Sequence, residues 1–142
     1  MYTLDASVMI RTLTERGADA AVCIALLDAL LAQRIPIIVP NILLAEVAGV
    51  IRRETNNPMR GRTAIAILQT LPLVTFVPVD DALAELAAEI AADRALRGAD
   101  AIYVATARQY NCTLVTLDAE QRERGRAEVV TLTPQEALEH CR

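Results

Sequence analysis

The chain has no lysine and one histidine among 142 residues, and aromatic residues make up 3% of it. Each shortage closes off a chemistry. His140 stands two residues before Arg142, so Ser-His-Asp hydrolases, Cys-His nucleophiles, histidine general bases and zinc sites with histidine ligands are excluded. The three cysteines, Cys23, Cys112 and Cys141, are odd in number, far apart and without a CxxC. They suggest neither a disulfide framework nor a zinc site. Cys23 and Cys112 lie in apolar segments and read as small core residues. Neither GxGxxG nor GxxxxGK[ST] occurs, which leaves no dinucleotide site and no P-loop. No apolar stretch reaches the roughly 18 residues of a membrane-spanning helix. Asp5 and Arg11, with no basic segment before them, do not read as a signal peptide. A reducing cytoplasm and no membrane association are expected. There is no repeat, linker or low-complexity tract, and residues 1–142 are expected to form one domain that buries about two-thirds of its unfolded surface.

Hydrophobic residues make up 54% of the chain, and with so few aromatics the core must be built from Leu, Ile, Val and Ala. The net charge of −4 gives no bulk steering toward nucleic acid, so any such binding needs a local patch. All 14 basic residues are arginine. Arginine grips phosphate and carboxylate bidentately, although an all-arginine choice is also a mark of genome composition.

Short β-type runs alternate with helical patterns. Strands are expected near 1–5, 35–39, 73–77, 113–116 and 128–132. Between them, Ser7 can cap a first short helix. Asp19 caps a second, with Val22, Leu26, Leu27, Leu30 and Leu31 at the 3.6-residue period. Asn41 opens a helix to about Arg53, and Asn57 one over 59–71 with Ala64, Ile67, Leu68 and Leu71 inward. Asp80 or Asp81 starts the next, with Leu83, Leu86 and Ile90 inward, and another runs from about Ala99 to Tyr110. Residues 120–126 read as a polar loop, and Thr133-Pro134 opens a last short helix. The alternation predicts an α/β/α sandwich with a mainly parallel sheet of about five strands.

Four acids stand alone in apolar runs. Asp5 closes Met1-Tyr2-Thr3-Leu4, and Asp118 closes Thr113-Leu114-Val115-Thr116-Leu117. Glu46 is the only charge between Pro40 and Ile51, and Asp100 interrupts Ala99 to Val104. Each has a bland reading: Asp5 holding a turn through the Ser7 backbone, Asp100 favoured at a helix start, Asp118 opening a turn. Glu46 is the hardest to dismiss, because Ile42, Leu43, Gly49 and Val50 are its helical neighbours and Glu is seldom buried unpaired. Together the acids point to a shared cation, since isolated carboxylates in apolar surroundings are costly. All-oxygen coordination suits Mg²⁺ or Mn²⁺. In parallel sheets ligands bind beyond the carboxyl ends of the strands, where Asp5 and Asp118 are expected, so the four acids can converge, with Asp5, Glu46 and Asp100 in one cavity and Asp118 beside it. Glu120 and Glu123 are candidates for its rim, and Asp93 reads as a surface residue.

The segments Leu4-Asp5-Ala6-Ser7-Val8, Ala45-Glu46-Val47, Gly98 to Ala105 and Leu114-Val115-Thr116-Leu117-Asp118 resemble the PIN-domain ribonucleases, most of all the VapC-type toxins of bacterial toxin–antitoxin pairs. The resemblance spans essentially the whole chain, in order. It implies metal ligands at Asp5, Glu46, Asp100 and Asp118, a hydroxyl at Thr116 and a small polar residue at Ser7. It also implies Mg²⁺- or Mn²⁺-dependent cleavage of single-stranded RNA, a homodimer, and a small cognate antitoxin that fills the cleft. Arginines 52, 53, 60, 62, 122, 124 and 126 are candidates for a basic rim. Among rival readings, a receiver-like signalling module resembles this topology but needs a late-strand lysine, which is lacking. A haloacid-dehalogenase-type phosphatase needs a second acid at Ser7. A PIN scaffold that binds RNA or protein without cutting would not need all four acids.

Overall fold

The computed structural model describes residues 1–142. Five strands form one sheet: β1 (Tyr2–Leu4), β2 (Ile37–Pro40), β3 (Val74–Val77), β4 (Thr113–Val115) and β5 (Thr131–Leu132). Their order is β3-β2-β1-β4-β5, and every pairing is parallel. The expected sandwich and its interior first strand are therefore present. Eight helices connect and flank the strands: α1 (Ala6–Thr14), α2 (Ala20–Ala32), α3 (Ile42–Thr55), α4 (Pro58–Thr70), α5 (Asp81–Arg94), α6 (Gly98–Gln109), α7 (Ala119–Gly125) and α8 (Pro134–His140). None is long and apolar enough to cross a membrane.

A parallel sheet with helices on both faces buries both sides of its central strands, so they are apolar throughout rather than alternating. Thr3, Leu4, Leu114 and Val115 accordingly show essentially no exposure. Helix α6 lies across β1, β2 and β4 with α5 packed on it, while α1, α2 and α8 pack together in another layer. Glu128, before β5, receives hydrogen bonds from Arg94 at 2.7 Å and Arg108 at 2.8 Å, which ties this stretch to α5 and α6.

Four local expectations are corrected. Residues 119–125 are helical rather than a polar loop: Gln121 and Gly125 lie one turn apart on a buried face, hidden in the sequence among Arg122, Glu123 and Arg124. Asp5 rather than Ser7 caps α1, because its backbone is still extended and its side chain accepts the Ser7 N–H. Ile67 is 44% exposed, because α4 packs chiefly on α3 and needs only the narrow stripe of Gly61, Ala64 and Leu68 for that contact. The last strand is two residues long, not five; as an edge strand it pairs only with Leu114 and Val115, and short edges limit unwanted pairing.

Candidate metal-binding site

The chain leaves β1 toward β2 and β3 on one side, then returns to place β4 and β5 on the other. The order in which strands are added therefore reverses between β1 and β4, the place where open α/β sheets leave a crevice. Asp5 follows β1, and Thr116 and Asp118 follow β4. Asp100 sits in the first turn of α6, where the helix dipole favours an acid. Glu46 comes from the second turn of α3.

Hydrogen bonds join these residues. Asp5 is buried; its Oδ2 accepts from Ser7 N at 3.0 Å and from Thr116 Oγ1 at 3.4 Å, and its Oδ1 faces Gln121 Nε2 at 3.4 Å. Thr116 Oγ1 in turn accepts from Asp118 N at 3.0 Å. The same Gln121 nitrogen donates to the Asp100 carbonyl at 3.3 Å. Glu46 Oε2 accepts from the buried Tyr103 hydroxyl at 2.5 Å. Arg97 bridges Asp100 and Asp118, with Nε 3.0 Å from Asp100 Oδ2 and Nη2 2.9 Å from Asp118 Oδ2.

The electrostatics follow from this crowding. Burial pushes the Glu46 carboxyl above its usual range, and Asp5 and Asp100 push the same way against the Tyr103 hydrogen bond. Burial also raises Asp100, helped by Asp5 and Asp118 and opposed by Arg97. Tyr103 is held neutral, by burial first and then by Glu46. A carboxyl raised in the folded state contributes stability that is fully present below about pH 4, the ordinary carboxylate value, and is lost as pH rises through the raised value. In EDTA, Glu46→Gln should therefore gain stability relative to the wild type as pH rises from about 4 to 7. Thermal melts across that range check this; a difference that does not vary with pH would contradict it.

Asp5, Asp100, Thr116 and Asp118 are linked through Gln121, Arg97 and their own hydrogen bonds, whereas Glu46 bonds only to Tyr103 and feels Asp5 and Asp100 through their charge. Glu46 and Asp118 line two separate depressions, of about 370 and 420 Å³, that share Ile10 and Val50 as walls. No three Asp, Glu, His or Cys side chains stand close enough to form a finished metal cage; Arg97 pairs with two of the acids and Tyr103 bonds to a third. The donor set nevertheless suits a hard divalent cation: its side-chain donors are oxygens, Arg97 pairs with only Asp100 and Asp118 of the four acids, and the buried Gln121 Oε1 has no partner. Glu120 and Glu123 do not turn to the site; they pair with Arg124 at 2.5 Å and Arg126 at 3.9 Å. Sequence reasoning missed Arg97, Tyr103 and Gln121. The one available signal was spacing, since Arg97 and Tyr103 lie three residues before and after Asp100.

The PIN-domain family model matches residues 2–127. The chain belongs to the PIN-domain family. No curated protein matches it significantly. Solved structures share the PIN fold. FitAcB from Neisseria gonorrhoeae is 24% identical, with 95% of this chain and 99% of that chain covered and a TM-score of 0.70. The toxin VapC20 from Mycobacterium tuberculosis, described as cleaving the sarcin–ricin loop, is 20% identical over 88% of this chain and 95% of its own, with a TM-score of 0.71. VapBC2 from Rickettsia felis, bound to a fragment of its promoter DNA, is 14% identical over 93% and 97%, with a TM-score of 0.69. At these identities the likeness speaks for the PIN fold.

Proposed function

We propose that this PIN domain is a Mg²⁺- or Mn²⁺-dependent endoribonuclease that cleaves single-stranded RNA, and that it acts as the toxin of a toxin–antitoxin pair. The reading is supported by Asp5, Asp100 and Asp118 at the carboxyl ends of β1 and β4 and the start of α6 in a PIN fold, with Glu46 near enough to feel the charge of Asp5 and Asp100. The toxin assignment is supported by VapC20, a cleaving toxin, and by a toxin–antitoxin complex from Klebsiella pneumoniae with a TM-score of 0.64.

Phosphodiester hydrolysis needs a nucleophile at neutral pH and a means of holding charge on the phosphate. A divalent ion, when bound, lowers the pKa of water and neutralises that charge. Asp5 and Asp100 are the central ligands in this reading, with Glu46 and Asp118 completing the shell or orienting water. Thr116 positions them: its hydroxyl donates toward Asp5 while accepting the Asp118 N–H, so it sets the spacing of two acids from adjacent strands. Tyr103 holds Glu46 from behind. Arg53, which lines the Glu46 depression, and Arg11, which lines that of Asp118, supply local positive charge for an RNA backbone on an acidic protein.

Incubation of the pure chain with a mixed RNA pool should give cleavage with Mn²⁺ and none in EDTA. Cleavage undiminished by EDTA, or no cleavage with either metal, would contradict the reading. The expected partners are a second copy of the chain and a small antitoxin. A monomer in sedimentation at micromolar concentration would count against the first, and failure to capture the product of an adjacent small gene on co-expression against the second.

A further inference from the structure

We propose that Arg97 is an exchangeable counter-cation for the acid cluster: its guanidinium pairs with Asp100 and Asp118, two carboxylates that a divalent ion would also draw on, so Arg97 competes with metal for them. This rests on the metal reading given above and adds the regulation of that site.

Asp118 is engaged through both of its oxygens. Its Oδ1 accepts the Gln121 N–H at 2.9 Å and caps α7, and its Oδ2 accepts from Arg97. Each oxygen keeps an acceptor site, but a cation drawn to Oδ2 would meet the positive charge of Arg97 there, so the two compete for Asp118. Asp100 presents its own Oδ2 to the same guanidinium. Two acids from different elements thus converge on one cation, as they would on a metal ion. Asp5 and Glu46 have no ion-pair partner, so their charge falls to whatever cation the cluster holds.

Arg97 is built to leave. Its side chain is 72% exposed, and it precedes α6 with an extended backbone and no capping side chain of its own. Exposed pairs of this kind are weak and screened by salt, whereas a divalent ion gathers several carboxylates at once. The arginine therefore offsets part of the charge of the metal-free cluster without locking it.

The test measures Mn²⁺ affinity by calorimetry on the full chain, for wild type, Arg97→Ala and Arg97→Gln, at low ionic strength and at about 0.5 M salt. Two variants at one exposed position guard against a folding defect. Both should bind Mn²⁺ about threefold to tenfold more tightly than the wild type at low salt, with the gap narrowing at high salt. Arg11→Ala, which removes a positive charge lining the Asp118 depression but not paired with it, should show a smaller gain. Equal or weaker Mn²⁺ binding by the Arg97 variants, with the wild type binding normally, would overturn the exchange and leave the metal reading standing. So would an equal gain in Arg11→Ala, which would mark a bulk charge effect. Absence of Mn²⁺ binding by wild type and variants alike at millimolar metal would overturn both.

Discussion

Asp100→Asn and Asp5→Asn are each expected to lower Mn²⁺-dependent RNA cleavage by more than about 100-fold, beyond the usual cost of losing an outer-shell partner. Asparagine keeps the size and one acceptor oxygen of each carboxylate but removes a charge that would hold a metal ion and, with it, the water that the ion would activate. Stability should move the other way or not at all. Asp5 caps α1 through Ser7 N, and asparagine is an equally good cap. Each change also removes one of several carboxylates that repel one another in the metal-free protein. Cleavage assays with Mn²⁺ and thermal melts in EDTA separate the two effects. A variant that loses activity because it unfolds would melt well below the wild type, and one that cleaves normally would remove that acid from the mechanism.

Tyr103 carries the second large effect. Its ring is among the largest fully buried side chains, and its hydroxyl is the only side-chain donor bonded to Glu46. Tyr103→Ala should cost about 3–5 kcal/mol, the usual range for emptying an aromatic site in a core. Tyr103→Phe keeps the ring and should cost about 1–3 kcal/mol at neutral pH, since it leaves a half-buried carboxylate without its donor. Denaturant titration in EDTA measures both. If Tyr103→Phe were as stable as the wild type at neutral pH, the hydroxyl would not be holding an ionised Glu46.

The sequence showed most of the scaffold, for physical reasons that can be traced. Apolar strands buried on both faces and helices at the 3.6-residue period leave strong local patterns, and β1 to β4 were expected within three residues of their ends. Asp5, Glu46, Asp100 and Asp118 stood out because a charge in an apolar run is costly wherever the chain folds. What escaped depends on contacts between distant segments. Gln121 is polar and sits among arginines and glutamates, so its burial beneath Asp5 had no local signature. Tyr103 lies in the apolar run around Asp100; its bond to Glu46, 57 positions away, appears only once α3 and α6 are brought together. Arg97 resembled any surface arginine until Asp118, 21 positions on, arrived on its other side. Ile67 failed for the opposite reason: the helical period was real, but α4 buries only a narrow stripe against α3.

The central claim is that these acids hold a metal ion at the reversal point of the sheet. Anomalous scattering from a crystal of the chain soaked in Mn²⁺ tests it most directly. The expected result is a manganese peak within about 2.5 Å of carboxylate oxygens of both Asp5 and Asp100, with Arg97 turned away from Asp118. A peak at other residues only, or none at a saturating concentration with Arg97 still spanning Asp100 and Asp118, would contradict it.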